Sequence, residues 1–365
     1  MSKKSILEEV LSSQDEKSLQ DFDPAGSVLS LLKAVDSRGA DIIRQRYSLD
    51  GRPARTLEEI GSNYGVTRER IRQVQSATLK ELRDKQNSLD PVSKVIVSVL
   101  NSTGKVMEEN HLVDTMLEAK EAGQADRAAV LFILELHDDF KRFDENSDFH
   151  RAWGTKDAEL ETAREIIDAF HEVLQKNGEP VSHENVTDHL SDHPVYEKHG
   201  DNLDENSVAA ILMISKGVRR NPFGEWGLAD WAQISPRGVK DKAYIVLSKN
   251  GDPLHFVDIA KEIDASGFDQ KKAHPQTVHN ELIKDDRFVL VGRGIYALKE
   301  WGYEPGTVAD VLEKIMQRKE QPITREELVK EVMKQRLVKK NTILLGLQNK
   351  DKFVRQEGGR YRLAE

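Results

Sequence analysis

From Ile71 onward the apolar residues recur at three- and four-residue steps: Ile71, Val74, Thr78 and Leu82. That spacing predicts one inward stripe on an α-helix. The opposite face carries Arg68, Glu69, Arg72, Gln73 and Ser76. Just upstream, Thr56 and Glu59 have the S/T-x-x-E spacing of a capping box, which opens a shorter helix. Gly65 can take the left-handed backbone that ends it, and Thr67 is placed to cap the next helix. The pattern predicts a helix, a tight turn and a longer basic helix, the arrangement of a helix-turn-helix.

Past Asp90 the pattern repeats four times. Each segment opens with an apolar helix and steps into a second through GKVMEENHLVDTM (from Gly104), GEPVSHENVTDHL (Gly178), GDPLHFVDIAKEI (Gly251) or EQPITREELVKEV (Glu320). Pro180, Pro253 and Pro322 recur at one place in three of them. Each closes on a hairpin-like stretch; in the third, Phe288 and Leu290 alternate against Tyr296 and Leu298, with Gly292 and Gly294 for the turn. A third helix before the hairpin completes a winged helix. Three stretches end near Trp153, Trp231 and Trp301, read as one recurring packing position rather than a base-stacking platform.

The expected fold is mainly α with small β wings: a helix-turn-helix domain followed by tandem winged-helix domains. The expected boundaries are a polar tail at 1–25, the helix-turn-helix at 26–88, and winged-helix repeats at 91–155, 158–235, 236–304 and 306–365. The joints between repeats are short, which favours a rigid row.

Hydrophobic residues make up 38% of the 365 and charged residues 32%, suiting globular units with much surface relative to core. There is no Cys, which excludes disulfides, thiolate catalysis and Cys-based zinc fingers. No apolar run of membrane length and no leader pattern is present, so a cytoplasmic location is expected. The net charge of −9 is unevenly spread. Residues 33–86 hold twelve Lys/Arg against eight Asp/Glu, a net of +4; residues 306–365 hold fourteen against nine, a net of +5. The acidic excess therefore lies between them, and local basic surface, not the total, governs phosphate affinity.

Arg, Gln and Glu are the side chains that pair with guanine, adenine and cytosine edges in the major groove. A carboxylate between arginines favours base reading over simple phosphate binding; the plainer reading is a salt-bridged solvent face. The stretch from Gly26 to Arg83 resembles region 4 of bacterial housekeeping sigma factors, through LLKAVDSRGADIIRQRYSLDG, TLEEIG and VTRERIRQV. The resemblance implies a second helix that contacts the promoter −35 element. Arg68, Glu69, Arg72 and Gln73 would be its base readers, with Thr67 and Ser76 beside them. Arg44 and Arg46, before the Leu49-Asp50-Gly51 turn, would sit near phosphates. It also implies a grip on a flap helix of the RNA polymerase β subunit, looked for around Leu29, Leu32 and Ile43. No aromatic-rich segment resembles sigma region 2, so a reader fused to something else is expected, not a self-sufficient initiation factor.

Gly238 to Tyr303 resembles the HARE-type winged helix, including the amino-terminal domain of the RNA polymerase delta subunit, through AYIVLSKNGDPLHFVDIAKEI, TVHNELIKDDRF and GRGIYALKEWGY. Thr277, His279 and Asn280 would begin its third helix, facing either a groove or, beside Asp285 and Asp286, a protein. In the fourth repeat Lys339, Lys340, Asn341 and Thr342 would begin the third helix and Arg355, Arg360 and Arg362 would lie in the wing. These are phosphate contacts or a solvated basic face.

His189 and His193 stand at i,i+4, but Pro194 interrupts the helix and no H-E-x-x-H is present, so no metal site is expected. No phosphate loop, dinucleotide fingerprint or G-x-S-x-G elbow occurs, and no cofactor, small-molecule substrate or catalysis is expected. The reading is a DNA-binding transcription factor associated with RNA polymerase. The alternatives are a polymerase-bound adaptor and an enzyme or targeting subunit of a restriction system.

Overall fold

The computed structural model describes residues 22–118, 122–200, 203–319, 321–356 and 358–364. The chain divides into two compact units: one reaching Arg220 and including Gly224–Ala229, the other holding Asn221–Phe223 and Asp230–Glu365. Most of the expected polar tail lies outside the described residues. Its last part does not behave as a tail: Phe22 is buried and the Asp23 carboxylate accepts from the Gly26 amide to cap the first helix.

The first unit begins with α1 (Pro24–Leu32), α2 (Ser37–Arg46), α3 (Leu57–Tyr64) and α4 (Arg68–Arg83). Thr56 accepts from the Glu59 amide while the Glu59 carboxylate accepts from the Thr56 amide, a closed capping box. Gly65 ends α3 at φ +66°. Gly61 is required beside it, because a Cβ there would meet the Val66 carbonyl at 2.7 Å. Ile71 and Leu82 on α4 are buried. Ile42, Ile60 and Ile71 form a small core between α2, α3 and α4.

The first winged helix follows as α5 (Asp90–Ser102), β1 (Val106–Glu108), α6 (Glu109–Leu117), α7 (Gln124–Leu136), β2 (Phe140–Phe143) and β3 (Ala152–Thr155). Its core is continuous with the helix-turn-helix. Val28, Leu31 and Leu32 of α1 join Leu82, Ile96, Phe132, Ile133 and Trp153 in one buried cluster. Tyr47 packs edge-on against Phe132, with ring centroids 4.9 Å apart. Gln86 and Asp138 exchange two hydrogen bonds of 2.8 and 2.9 Å across the join. Each fully buried aliphatic side chain contributes about 2 kcal/mol, so this interface stabilises both modules.

The second winged helix is α8 (Leu160–Asn177), β4 (Val181–Ser182), α9 (Val186–Ser191), α10 (Pro194–His199), α11 (Glu205–Leu212), β5 (Val218–Arg220) and β6 (Glu225–Leu228). The His150 amide donates to the Ile214 carbonyl and the Lys216 amide to the Asp148 carbonyl, tying this repeat to the first wing.

The second unit holds the last two repeats. The third is α12 (Val239–Asn250), β7 (Leu254–His255), α13 (Phe256–Ser266), α14 (Pro275–Lys284), β8 (Phe288–Gly292) and β9 (Ile295–Leu298). The fourth is α15 (Val308–Lys319), β10 (Ile323–Thr324), α16 (Arg325–Gln335), α17 (Lys340–Gly346), β11 (Phe353–Arg355) and β12 (Arg360–Leu363). Their joint turns on Arg336, which is 6% exposed. Its guanidinium donates to the Leu290, Glu304 and Gly306 carbonyls. The next amide, Leu337, donates to Val291 at 2.9 Å.

Among the described residues, the four sheets share one order, with the last strand between the other two. The registers align the repeats: Met107 faces Trp153, Val181 faces Trp226, Leu254 faces Tyr296 and Ile323 faces Tyr361. This corrects the recurrence of Trp153, Trp231 and Trp301. Trp153 lies within its strand and matches Trp226, whereas Trp231 and Trp301 come after the last strand ends.

Candidate nucleic-acid interface

Helix α4 is held from below and open above. Its buried stripe anchors it, and Thr67 accepts from the Arg70 amide at 3.3 Å to cap it. Thr67, Arg68, Glu69, Arg72, Gln73 and Ser76 are all exposed. Two contacts order this face: Glu69 takes Arg72 in a two-bond fork of 2.9 and 2.7 Å, and Arg70 donates to Gln73 at 3.3 Å. The Arg72 hydrogen bonds hold the Glu69 carboxyl below its ordinary value, so the fork is ionised at neutral pH.

Beneath the face, Asp41 of α2 accepts from the Tyr64 hydroxyl at the end of α3 and from the Gln45 amide at 2.6 Å. Arg55 extends the network by donating to Gln45 at 3.0 Å, and Arg38 lies over the Tyr64 ring at 5.0 Å. Burial, then the bond to Asp41 and its charge, push the Tyr64 phenol up to about 12. Asp41, Gln45 and Tyr64 thus fix the angle between α2 and α3, and sequence reasoning passed over them. The four-residue step from Asp41 to Gln45 is the signal that could have flagged the pair.

Arg44 and Arg46 are half-buried at the end of α2. Arg46 also donates to the Arg55 carbonyl at 3.1 Å, which commits part of its guanidinium to the protein itself.

The third helices of the winged repeats differ sharply. In α7 Ala128, Ala129, Val130, Phe132, Ile133, Leu134 and Leu136 are buried, and in α11 every residue from Ser207 to Leu212 is buried. What stays open is narrow: on α7 the stripe Gln124, Arg127, Leu131 and Glu135, and on α11 its first turn at Glu205 and Asn206. On α14 Thr277 and Asn280 are exposed. His279 is not a groove residue: it turns inward, sharing a 2.9 Å hydrogen bond with the Tyr296 hydroxyl and stacking near Phe256. On α17 Lys340, Asn341 and Thr342 are exposed, as are Lys339 before it and Arg355 and Arg360 in the wing. Arg362 is half-buried.

Residues 31–84 match the family Sigma-70, region 4. The region 4 module is 44% identical over 69 residues to the RNA polymerase principal sigma factor HrdD of Streptomyces viridifaciens, covering 16% of this chain and 21% of that protein. It is 43% identical over 61 residues to the RNA polymerase sigma factor SigA of Clostridium acetobutylicum, covering 17% and 16%. The chain thus spans about a fifth or less of the relatives' length. Residues 237–301, the third winged helix, match the HARE-HTH family, whose description includes the restriction endonuclease HTH domain. The chain therefore joins a sigma-like DNA-binding module to a HARE-type winged helix.

One expectation for the region 4 module is corrected by its packing. Leu32 and Ile43 are 1% and 0% exposed, inside the core shared with the first winged helix. Of the three residues expected to meet a polymerase helix, only Leu29 is exposed. Near the other repeats, His193 caps α10 by accepting from the Val195 amide, while His189 lies beside Asn177. Among the described residues, no helix is long and apolar enough to cross a membrane.

Proposed function

We propose that this protein is a DNA-binding transcription factor whose region 4 module reads a −35-like element in duplex DNA and which works with RNA polymerase. The observation that carries the reading is the exposed face of α4, anchored through Ile71 and Leu82 and built of base-reading side chains. Arg68 and Arg72 pair with guanine, Gln73 with adenine, and Glu69 accepts from cytosine. Thr67 and Ser76 contact the flanking backbone or base edges, and Arg44 and the free part of Arg46 lie toward phosphates. Lys339, Lys340 and Arg360 supply a second basic surface in the last winged helix. No step of this function needs catalysis or a cofactor, and its setting is the cytoplasm.

The matched relatives are sigma factors of RNA polymerase, which supports polymerase as the protein partner. A contact with the β flap through α1 rests on Leu29, since its neighbours are in the core.

Selection of bound duplexes from a random pool, at a stated salt concentration, tests the reading. The wild-type protein enriches a −35-like hexamer, and Arg72→Ala relaxes the preference at one base pair and costs about 1–3 kcal/mol. No hexamer in the wild-type pool would rule the sequence reader out. Capture on a β-flap fragment, compared between wild type and Leu29→Asp, separates the adaptor reading, in which polymerase binding persists without DNA selection.

A further inference from the structure

The four winged repeats present third helices of very different character, and one has the makings of a second reading head. Helices α7 and α11 are mostly buried, and the residues α7 leaves open include the acid Glu135. On α14 the exposed amides of Gln276 and Asn280 bond to each other at 3.2 Å, and Glu281 and Asp285 close that end. Helix α17 is different. Its turn continues past Gly346, with the Leu347 amide bonded to Ile343 and the Gln348 amide to Leu345. Asn341, Leu345 and Gln348, at i, i+4 and i+7, therefore share one face. All three are exposed, while Ile343 and Leu347 anchor the other side.

Two features of this face point to a ligand. Leu345 is 64% exposed on a well-packed helix whose other leucines are covered or half-covered. The amides of Asn341 and Gln348 on either side make no side-chain hydrogen bond among the described residues. The remaining exposed positions on this side are Thr342 and Asn349, so positions 341–349 hold no carboxylate, and the nearest acid influence is Glu326 of α16 beside Lys340. Lys339 and Lys340 flank it at one end, and Arg355 and Arg360 follow in the wing.

An Asn or Gln amide presents one donor and one acceptor, the complement of adenine N7 and N6, and an apolar side chain meets the thymine methyl group. We propose that α17 reads A·T base pairs in the major groove: Asn341 and Gln348 pair with adenine edges, Leu345 packs on a thymine methyl, and the basic flanks hold phosphates. This rests on the reading of the chain as a duplex-DNA binder, and adds a sequence preference independent of α4. An acidic protein partner would use the lysines and arginines equally well, but the face between them offers it no cation, only two amides and a leucine.

The test uses the full chain in three forms, wild type, Asn341→Ala/Gln348→Ala and Arg72→Ala, each selecting duplexes from one random pool at fixed salt. Wild type enriches an A·T element besides the element that depends on Arg72. The double variant, whose thermal melt stays unchanged because both side chains are exposed, loses the A·T element and binds it about ten-fold more weakly relative to a G·C version. It keeps the Arg72-dependent element. Arg72→Ala shows the reverse. An A·T element that survives Asn341→Ala/Gln348→Ala overturns the proposal. So does a wild-type pool holding only the Arg72-dependent element, which assigns the face to a protein. A pool with the A·T element alone overturns the region 4 reading instead, and one with neither overturns both.

Discussion

Glu69 and Arg72 stand one turn apart on α4 and meet through both carboxylate oxygens, at 2.7 and 2.9 Å. An exposed ion pair of this kind adds little to stability. Its effect is on shape, since the fork holds two flexible side chains in one arrangement before a ligand arrives. Glu69→Ala should leave the melting temperature within about 1–2 °C and broaden the base preference. Binding to the preferred duplex should weaken by about 1–3 kcal/mol as the cytosine contact and the ordering of Arg72 are lost. Fluorescence anisotropy on matched and mismatched duplexes measures both effects; unaltered discrimination would show that the fork is surface decoration.

The buried interface between α1 and α7 predicts that the region 4 module does not fold well by itself. Phe132 of α7 is 1% exposed and lies in the cluster that includes Leu31 and Leu32. Phe132→Ala should destabilise the first unit by about 3–5 kcal/mol. In denaturant, the helix-turn-helix and the first winged helix should unfold in one transition. Separate transitions, or a fragment of residues 22–88 as stable as the full chain, would show that the shared core is incidental.

Much of this was legible in the chain and some was not, for reasons that particular residues explain. The capping box at Thr56 and Glu59, the left-handed Gly65 and the stripe through Ile71 and Leu82 are local, and local rules describe them. The winged-helix plan was legible because its strands and turns repeat. The burial of α7 was not drawn from the sequence, although its signal is there. Between Ala128 and Leu136 only Glu135 is charged, so the helix is apolar nearly all round and must be covered on more than one side. That coverage buries Leu32 and removes it from any partner surface. The tryptophan alignment failed for a different reason. Chain spacing groups positions near the ends of the wings, whereas strand register pairs Met107 with Trp153 and Val181 with Trp226.

Tyr64 gives a pH signature. Its phenol is raised from 10.0 to about 12 in the folded protein, through burial and the bond to Asp41. A raised pKa means the unfolded chain loses its proton first. The stabilisation is fully present below pH 10 and is lost as the pH climbs from there through about 12. Tyr64→Phe should cost about 1 kcal/mol at neutral pH and flatten the alkaline decline. Parallel melts of the two proteins at pH 8 and pH 11 would expose the difference, and equal slopes would remove Tyr64 from the account.

Arg336 is the pin between the third and fourth repeats. Burial lowers its pKa, yet three backbone carbonyls receive its donors and keep the charged form in place. Arg336→Met strips those donors and leaves carbonyls without partners, at a cost of about 3 kcal/mol. Arg336→Lys should recover only part of this, since a single ammonium cannot span the three acceptors. Hydrogen exchange at the Leu337 amide, bonded to Val291 in the native fold, should quicken in both variants. Protection equal to wild type would mean the joint is held by other contacts.

The last winged helix sets acids beside its basic residues. Two carboxyls on α16 are held below their ordinary value, Glu326 first by a backbone hydrogen bond and Glu327 by Thr324, and the charges of Lys340 and Arg360 add to this. The basic face is therefore partly offset by acids on its own domain, and net phosphate attraction is smaller than the number of cations suggests. If Lys339, Lys340 and Arg360 meet phosphates, replacing any one by Ala should weaken binding evenly across duplex sequences and lower the salt slope by about 1. Glu326→Gln should act in the opposite direction, strengthening binding most at low salt, where screening is weakest. Affinities of the four variants across a salt series decide the matter. Slopes equal to wild type in all of them would make this a solvated basic surface and leave duplex binding to α4.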